Sequence, residues 1–173
     1  MLFKYFLLLI IMGLSSATGF LYGDRYKKRV FCLKELMNGY INLENEMTYT
    51  FTPLPEAFVS TGSKLKEPVG ELFQAIGSKL KNNEAENVYL STRKSLEECK
   101  EKVNINEDDA SILLDLAKSL GTTGIEGQKK IFSITVDRMK NNTEKAEKEC
   151  DKYSKMYKSL GVCVGFMLVI FLI

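Results

Sequence analysis

The sequence predicts an all-α protein: a six-helix antiparallel bundle flanked by an N-terminal and a C-terminal transmembrane helix. Three observations carry this. Apolar residues recur at intervals of three and four through the middle of the chain, and no period-2 run competes with them. Uncharged apolar segments stand at both ends. Basic residues crowd the inner flank of each segment. Whole-chain figures conceal the partition: 173 residues, 45% hydrophobic, 24 Lys and Arg against 22 Asp and Glu, suggest one domain of ordinary size and near-neutral charge.

The first element is residues 5–23, which carry no charge. At the helical rise they extend about 28 Å, close to one hydrocarbon core. Arg25, Lys27, Lys28 and Arg29 follow at once and outweigh Lys4 before it, so the positive-inside rule places the body of the chain in the cytoplasm. The alternative is a cleaved signal peptide, with Lys4 as its basic start and Ser15-Ser16-Ala17 as its cleavage site, leaving a secreted helical binding module.

The bundle is expected over residues 24–158. Its first helix, residues 27–47, places Val30, Leu33, Leu36, Met37, Tyr40, Ile41 and Met47 on one face. Thr52 caps the second, Pro53 occupies its first position, and Glu56 favours the positive end of its dipole; this short helix ends near Ser60. Pro68 opens the third, with Val69, Leu72, Phe73, Ile76 and Leu80 in one stripe and a turn at residues 81–83. The fourth spans residues 84–102 with Val88, Tyr89, Leu96, Cys99 and Val103 inward. The fifth, 106–120, has Asn106 as cap and Glu107, Asp108 and Asp109 as a solvated first turn. Gly121 suits the left-handed position ending it, and Thr122 or Thr123 can cap the last helix. That helix, residues 125–158, meets nothing that breaks it. Asn141-Asn142-Thr143 reads as solvated helix rather than as a glycosylation acceptor, because the domain faces inward.

The last helix therefore continues into residues 156–173 as the second membrane helix. Lys155 and Lys158 snorkel there, and Tyr153 and Tyr157 sit at headgroup level. Both termini then lie outside and the bundle inside.

The chain lacks the groups most chemistry needs. Histidine is absent, which removes imidazole as base or metal ligand. Cys32, Cys99, Cys150 and Cys163 are far apart and form no CxxC pair, so they read as buried reduced thiols. No P-loop, GxGxxG, GxSxG or HExxH occurs; Gly124-Ile125-Glu126-Gly127 lacks the lysine and hydroxyl of a phosphate loop. The expectation is a protein that is not an enzyme, holds no cofactor or metal and binds no nucleic acid. Its partners are other proteins and membrane lipid.

Three stretches sharpen this. Glu46-Met47-Thr48-Tyr49-Thr50-Phe51-Thr52-Pro53-Leu54-Pro55-Glu56-Ala57-Phe58, then residues 116–121 with Gln128, then Lys155-Met156-Tyr157-Lys158-Ser159-Leu160-Gly161 running into a terminal apolar helix, resemble the stage III sporulation protein AB family. The resemblance covers nearly the whole chain. It implies an endospore-forming bacterium, the mother-cell membrane around the forespore, and a part in the channel joining the two cells. It also implies kinship with the inner-membrane platform proteins of type II secretion and type IV pilus systems, whose cytoplasmic domains are six-helix bundles. The partner implied is a secretion-type ATPase, stage III sporulation protein AA, along with other membrane proteins of the channel. Platform proteins carry two such domains, so this shorter chain is expected to need homo-oligomers or partners. The positions singled out for partner contact are Thr52, Pro53, Leu54, Pro55 and Glu56, then Leu120, Gly121 and Gln128. A cap, a rigid helix start and a left-handed glycine are their structural roles.

Overall fold

The computed structural model describes residues 2–120 and 124–172, and every regular element among them is helical. The helices are α1 (Leu2–Thr48), α2 (Leu54–Lys64), α3 (Val69–Lys81), α4 (Val88–Glu98), α5 (Glu107–Ser119), α6 (Ile125–Glu149) and α7 (Lys155–Leu172). A π turn, Cys150–Ser154, joins α6 to α7 without interrupting the helix. Taking α6, the turn and α7 as one rod, the helices number six among the described residues. Residues 5–23 and the first bundle helix are not separate elements. Residues 24–26 contain no proline, so α1 runs through them unbroken.

Contacts divide the chain into two compact units, one from Met1–Val30 with Lys145–Ile173, the other Phe31–Glu144. In the second unit Leu33, Leu36, Tyr40 and Leu43 of α1 are fully buried, as are Phe58, Phe73 and Phe132. The α1 stripe differs at its edge from expectation. Ile41 is 42% exposed, because it lies one helical step past Tyr40, while Cys32 and Gly39 belong to the buried face. Phe58 of α2 packs on Phe73 of α3 with ring centroids 5.7 Å apart.

The middle helices depart further from the apolar pattern. Helix α4 starts at Val88, not at residue 84, because the Asn87 side chain accepts from the Leu90 amide at 2.8 Å and caps it. Val88, Tyr89 and Leu96 lie half-buried on its flanks, Cys99 and Val103 are buried beyond its end, and the face it turns inward is Ser91, Thr92 and Ser95. The Ser91 hydroxyl donates to the Ile76 carbonyl of α3 at 2.8 Å. Before α5, Asn106 and Asp109 form a reciprocal capping box. Asp109 is fully buried rather than solvated, and its carboxylate accepts from Asn142 of α6 at 2.9 Å. The Asn141-Asn142-Thr143 stretch is accordingly not a wholly solvated face. Asn142 reaches inward and Thr143 is buried, its hydroxyl returning to the Met139 carbonyl at 2.8 Å. Of the four cysteines, Cys32 and Cys99 are buried thiols as expected, but Cys150, in the π turn, is half-buried and Cys163 of α7 is exposed.

The first unit is an antiparallel pairing of the start of α1 with α7. A methyl group on Gly19 would meet the Tyr157 carbonyl oxygen at 2.7 Å, and one on Gly161 would meet the Gly19 Cα at 2.9 Å. The Ser15 hydroxyl donates to the Gly161 carbonyl at 2.8 Å. Such small residues, four apart along α1, let two backbones touch. Beyond them Tyr26 stacks on Tyr157 at 6.0 Å and packs at a tilt on Tyr153 at 5.6 Å, and Tyr22 stacks on Tyr157 at 6.1 Å. Lys158 pairs with Asp24 at 3.3 Å instead of extending freely along the helix, and Arg29 pairs with Glu149 at 2.8 Å. Among the described residues one helix, Glu126–Phe171, contains a stretch long and apolar enough to cross a membrane.

Candidate docking site

The segment between α1 and α2 is organised by Glu46. Its carboxylate accepts from the Thr52 hydroxyl at 2.9 Å, the Ser60 hydroxyl at 2.8 Å and the Lys64 ammonium at 2.7 Å. Those donors, Lys64 first, hold the carboxyl well below its usual range, at about 2. The Thr52 amide also donates to the Glu46 carbonyl at 2.9 Å. Thr52 therefore does not cap α2. Its hydroxyl turns back to α1, the N-cap is Pro53 without a side-chain bond, Leu54 is the first helical residue, and Pro55 follows within the first turn. Glu56 is exposed in that turn, where its charge complements the helix dipole.

Two aromatic residues project from the same loop. Tyr49 is 70% exposed and Phe51 69%. Phe51 holds a left-handed backbone at φ 54°, a conformation that residues with a Cβ seldom adopt. The Lys129 ammonium lies over the Tyr49 ring, 5.1 Å from its centroid, and so brings the start of α6 to this loop.

Beside the loop opens a groove of about 640 Å³, with Leu54 and Pro55 on one wall and Leu80, Tyr89 and Leu120 among its other lining residues. Close approach of α3 makes this wall possible. A Cβ on Gly77 would stand 2.6 Å from the Pro55 carbonyl oxygen, so only glycine fits there. Lys118 sits over the Tyr89 ring at 5.1 Å and near Asp115 at 3.8 Å.

Of the positions expected to contact partners, the fold brings Leu54, Pro55 and Leu120 together in the groove. Thr52, Pro53 and Glu56 flank it in sequence, with Thr52 turned toward Glu46. Gln128 stands at the start of α6, its amide donating to the Gly124 carbonyl at 3.0 Å, next to the lysine that covers Tyr49. Gly121 lies outside the described residues. Glu46, Tyr49 and Phe51 are in the motif quoted above, but their roles require the fold. The available signal for Glu46 is a carboxylate just upstream of the hydroxyl residues Thr48, Tyr49, Thr50 and Thr52, a signal that Glu44 shares.

No group of three or more Cys, Asp or Glu side chains suited to a metal occurs among the described residues. Tyr40 is fully buried, and both that burial and the nearby Asp109 carboxylate push its hydroxyl pKa far up, so it stays neutral. Burial likewise raises the Cys99 thiol and keeps it unreactive. What the arrangement offers is surface: rigid aromatics, a half-apolar groove and a carboxylate at a helix start.

A profile of the stage III sporulation protein AB family matches residues 4–173. Stage III sporulation protein AB of Bacillus subtilis (strain 168) is 24% identical over 162 residues, covering 94% of each chain. A solved structure of stage III sporulation protein AB superposes with a TM-score of 0.65 at 21% identity, covering 71% of this chain and 96% of the other, which shows a shared fold.

Proposed function

Because the chain belongs to the stage III sporulation protein AB family, we propose that it is a non-enzymatic membrane platform of the channel between mother cell and forespore. In this reading it is two-pass, with α1 and α7 paired in the membrane around the forespore and residues 31–144 in the mother-cell cytoplasm. There it docks a secretion-type ATPase, stage III sporulation protein AA, and other channel components. The observation that carries the reading is the convergence of Leu54, Pro55 and Leu120 on one open groove with Glu56 exposed beside it. A conserved chemistry is not required of such a surface; aromatic anchors and a polar rim suffice. Retention of the first segment is supported by its backbone contacts, since cleavage after Ala17 would remove the bond from Ser15 to Gly161.

The test is capture of the ATPase by the full chain in mild detergent. Glu56→Lys reverses an exposed charge and is expected to lower capture while leaving the helical circular dichroism intact; unchanged capture removes the site. Topology is checked separately with a cysteine at exposed Lys100 in a Cys163→Ala background, because native Cys99 is buried. Labelling by a reagent confined to the outer face would defeat the cytoplasmic assignment.

A further inference from the structure

We infer that the groove beside the docking loop receives the aromatic tip, Tyr49 and Phe51, of a second copy of this chain. This rests on the platform reading and names one partner of its docking end.

The tip is built to be presented. Both rings are more than two-thirds exposed, at 70% and 69%. The φ of 54° at Phe51 is a backbone state that glycine or asparagine fills with less strain, yet an aromatic side chain occupies it at the surface. The loop is fixed from behind by the Thr52 amide on the Glu46 carbonyl at 2.9 Å and the Thr52 hydroxyl on the Glu46 carboxylate at 2.9 Å. A rigid, amphipathic ring on a preorganised loop is the profile of an interface anchor, because little side-chain entropy remains to be lost on contact.

The groove is built to receive such a tip. Its volume of about 640 Å³ falls in the range of pockets that enclose a ligand. Leu54, Pro55, Leu80, Val88 and Leu120 supply apolar wall. The charges also match. Lys129 over Tyr49 makes the tip positive, whereas Glu86 in the groove lining is exposed and negative. Lys118, the cation within the lining, is engaged by the Tyr89 ring and Asp115. A chain's own tip does not fill its groove, since the tip remains exposed. The tip residues Tyr49 and Phe51 stand just before the groove residues Leu54 and Pro55 in the chain.

The experiment places a benzophenone amino acid at Phe51 in the full chain, co-expresses two differently tagged copies, and irradiates membranes with and without the ATPase. Expected is a photoproduct carrying both tags, with the crosslink mapped to residues 80–89 or 117–120. Lys129→Glu and Glu86→Lys are each expected to lower that product about fivefold or more, and the two together to restore it. Phe51→Gly relieves the backbone while removing the ring, so self-association should fall with the melting temperature unchanged or higher. Photoproducts confined to one tag, crosslinks to the ATPase alone, or a double reversal that restores nothing overturn the inference. If they do so while Glu56→Lys still abolishes ATPase capture, the platform reading stands without the self-contact. If the two-tag product forms but capture ignores Glu56→Lys, the self-contact stands and the ATPase site fails.

Discussion

Where α1 meets α7, the touching groups are backbone; where α1 meets the helices of residues 31–144, they are large side chains, and among the described glycines of that unit backbones close on one another only between α2 and α3, at Gly62, Gly70 and Gly77. Gly19 and Gly161 approach so closely that neither could carry a Cβ without displacing main-chain atoms. By contrast, Gly39 of α1 accommodates the Phe73 ring, and Phe73 packs on Phe58. Under the proposed two-pass topology, this difference is the one that solvent would produce. In water, apolar area removed from contact with solvent stabilises by about 25 cal/mol per Å², so bulky residues are favoured. Among lipid tails that gain vanishes, and close van der Waals contact with interhelical hydrogen bonds takes its place. The Ser15 bond to the Gly161 carbonyl is of that kind.

The comparison breaks most severely at Phe73. Phe73→Ala leaves a cavity against Phe58 and Gly39, and a loss of about 3–5 kcal/mol is expected in denaturant unfolding of the detergent-solubilised chain. Pairing of α1 with α7, read by crosslinking cysteines placed at Ser15 and Leu160, should survive. Gly161→Leu reverses the pattern. It should cost about 1–3 kcal/mol through overpacking and abolish that crosslink while sparing the other unit. Gly165→Ala is the control, because its added methyl would meet Met12 only at 3.5 Å and fits. Equal damage to both units from either substitution would show that the contrast is not one of solvent.

A smaller effect tests the docking loop. Glu46 is depressed to about 2 by Lys64, Ser60 and Thr52, so its contribution is complete above the ordinary carboxylate pKa and lost as pH falls toward 2. Glu46→Gln should remove about 1 kcal/mol and flatten the acid limb of the pH–stability curve. An unchanged acid limb would mean that the clamp on Thr52 contributes nothing.

Much of this was legible from spacing. The number of helices, the Asn106 cap, the unbroken final rod and the buried Leu33, Leu36 and Tyr40 follow from apolar periodicity and turn chemistry. Leu54, Pro55 and Leu120 were marked by motif, but nothing in a linear pattern says that two loops share a groove. The errors have a common cause. Thr52, Asp109 and Asn142 were assigned to the nearest available role, cap or solvent, whereas each satisfies a partner distant in sequence or on another helix. Polar residues have several local uses, and only tertiary contacts choose among them. The Ser15, Gly19 and Gly23 spacing is that of a helix-pair seam, but it lies inside a long uncharged run whose apolar length is the stronger pattern.

The polar face of α4 gives the finest test, because small residues are buried there as they are between α1 and α7. Ser91 is satisfied by the Ile76 carbonyl. Thr92 and Ser95 bury hydroxyl oxygens with no hydrogen-bond partner among the described residues. An unpaired hydroxyl in a dry interior destabilises, and valine has the shape of threonine with similar helix propensity. Thr92→Val should therefore raise stability by about 0.5–1 kcal/mol, while Ser91→Ala lowers it by about 1 kcal/mol. Opposite signs one residue apart would show that this face is held by particular hydrogen bonds rather than by small size. If Thr92→Val destabilises instead, small polar residues are favoured in water too, and the contrast between the two units rests on the large side chains alone.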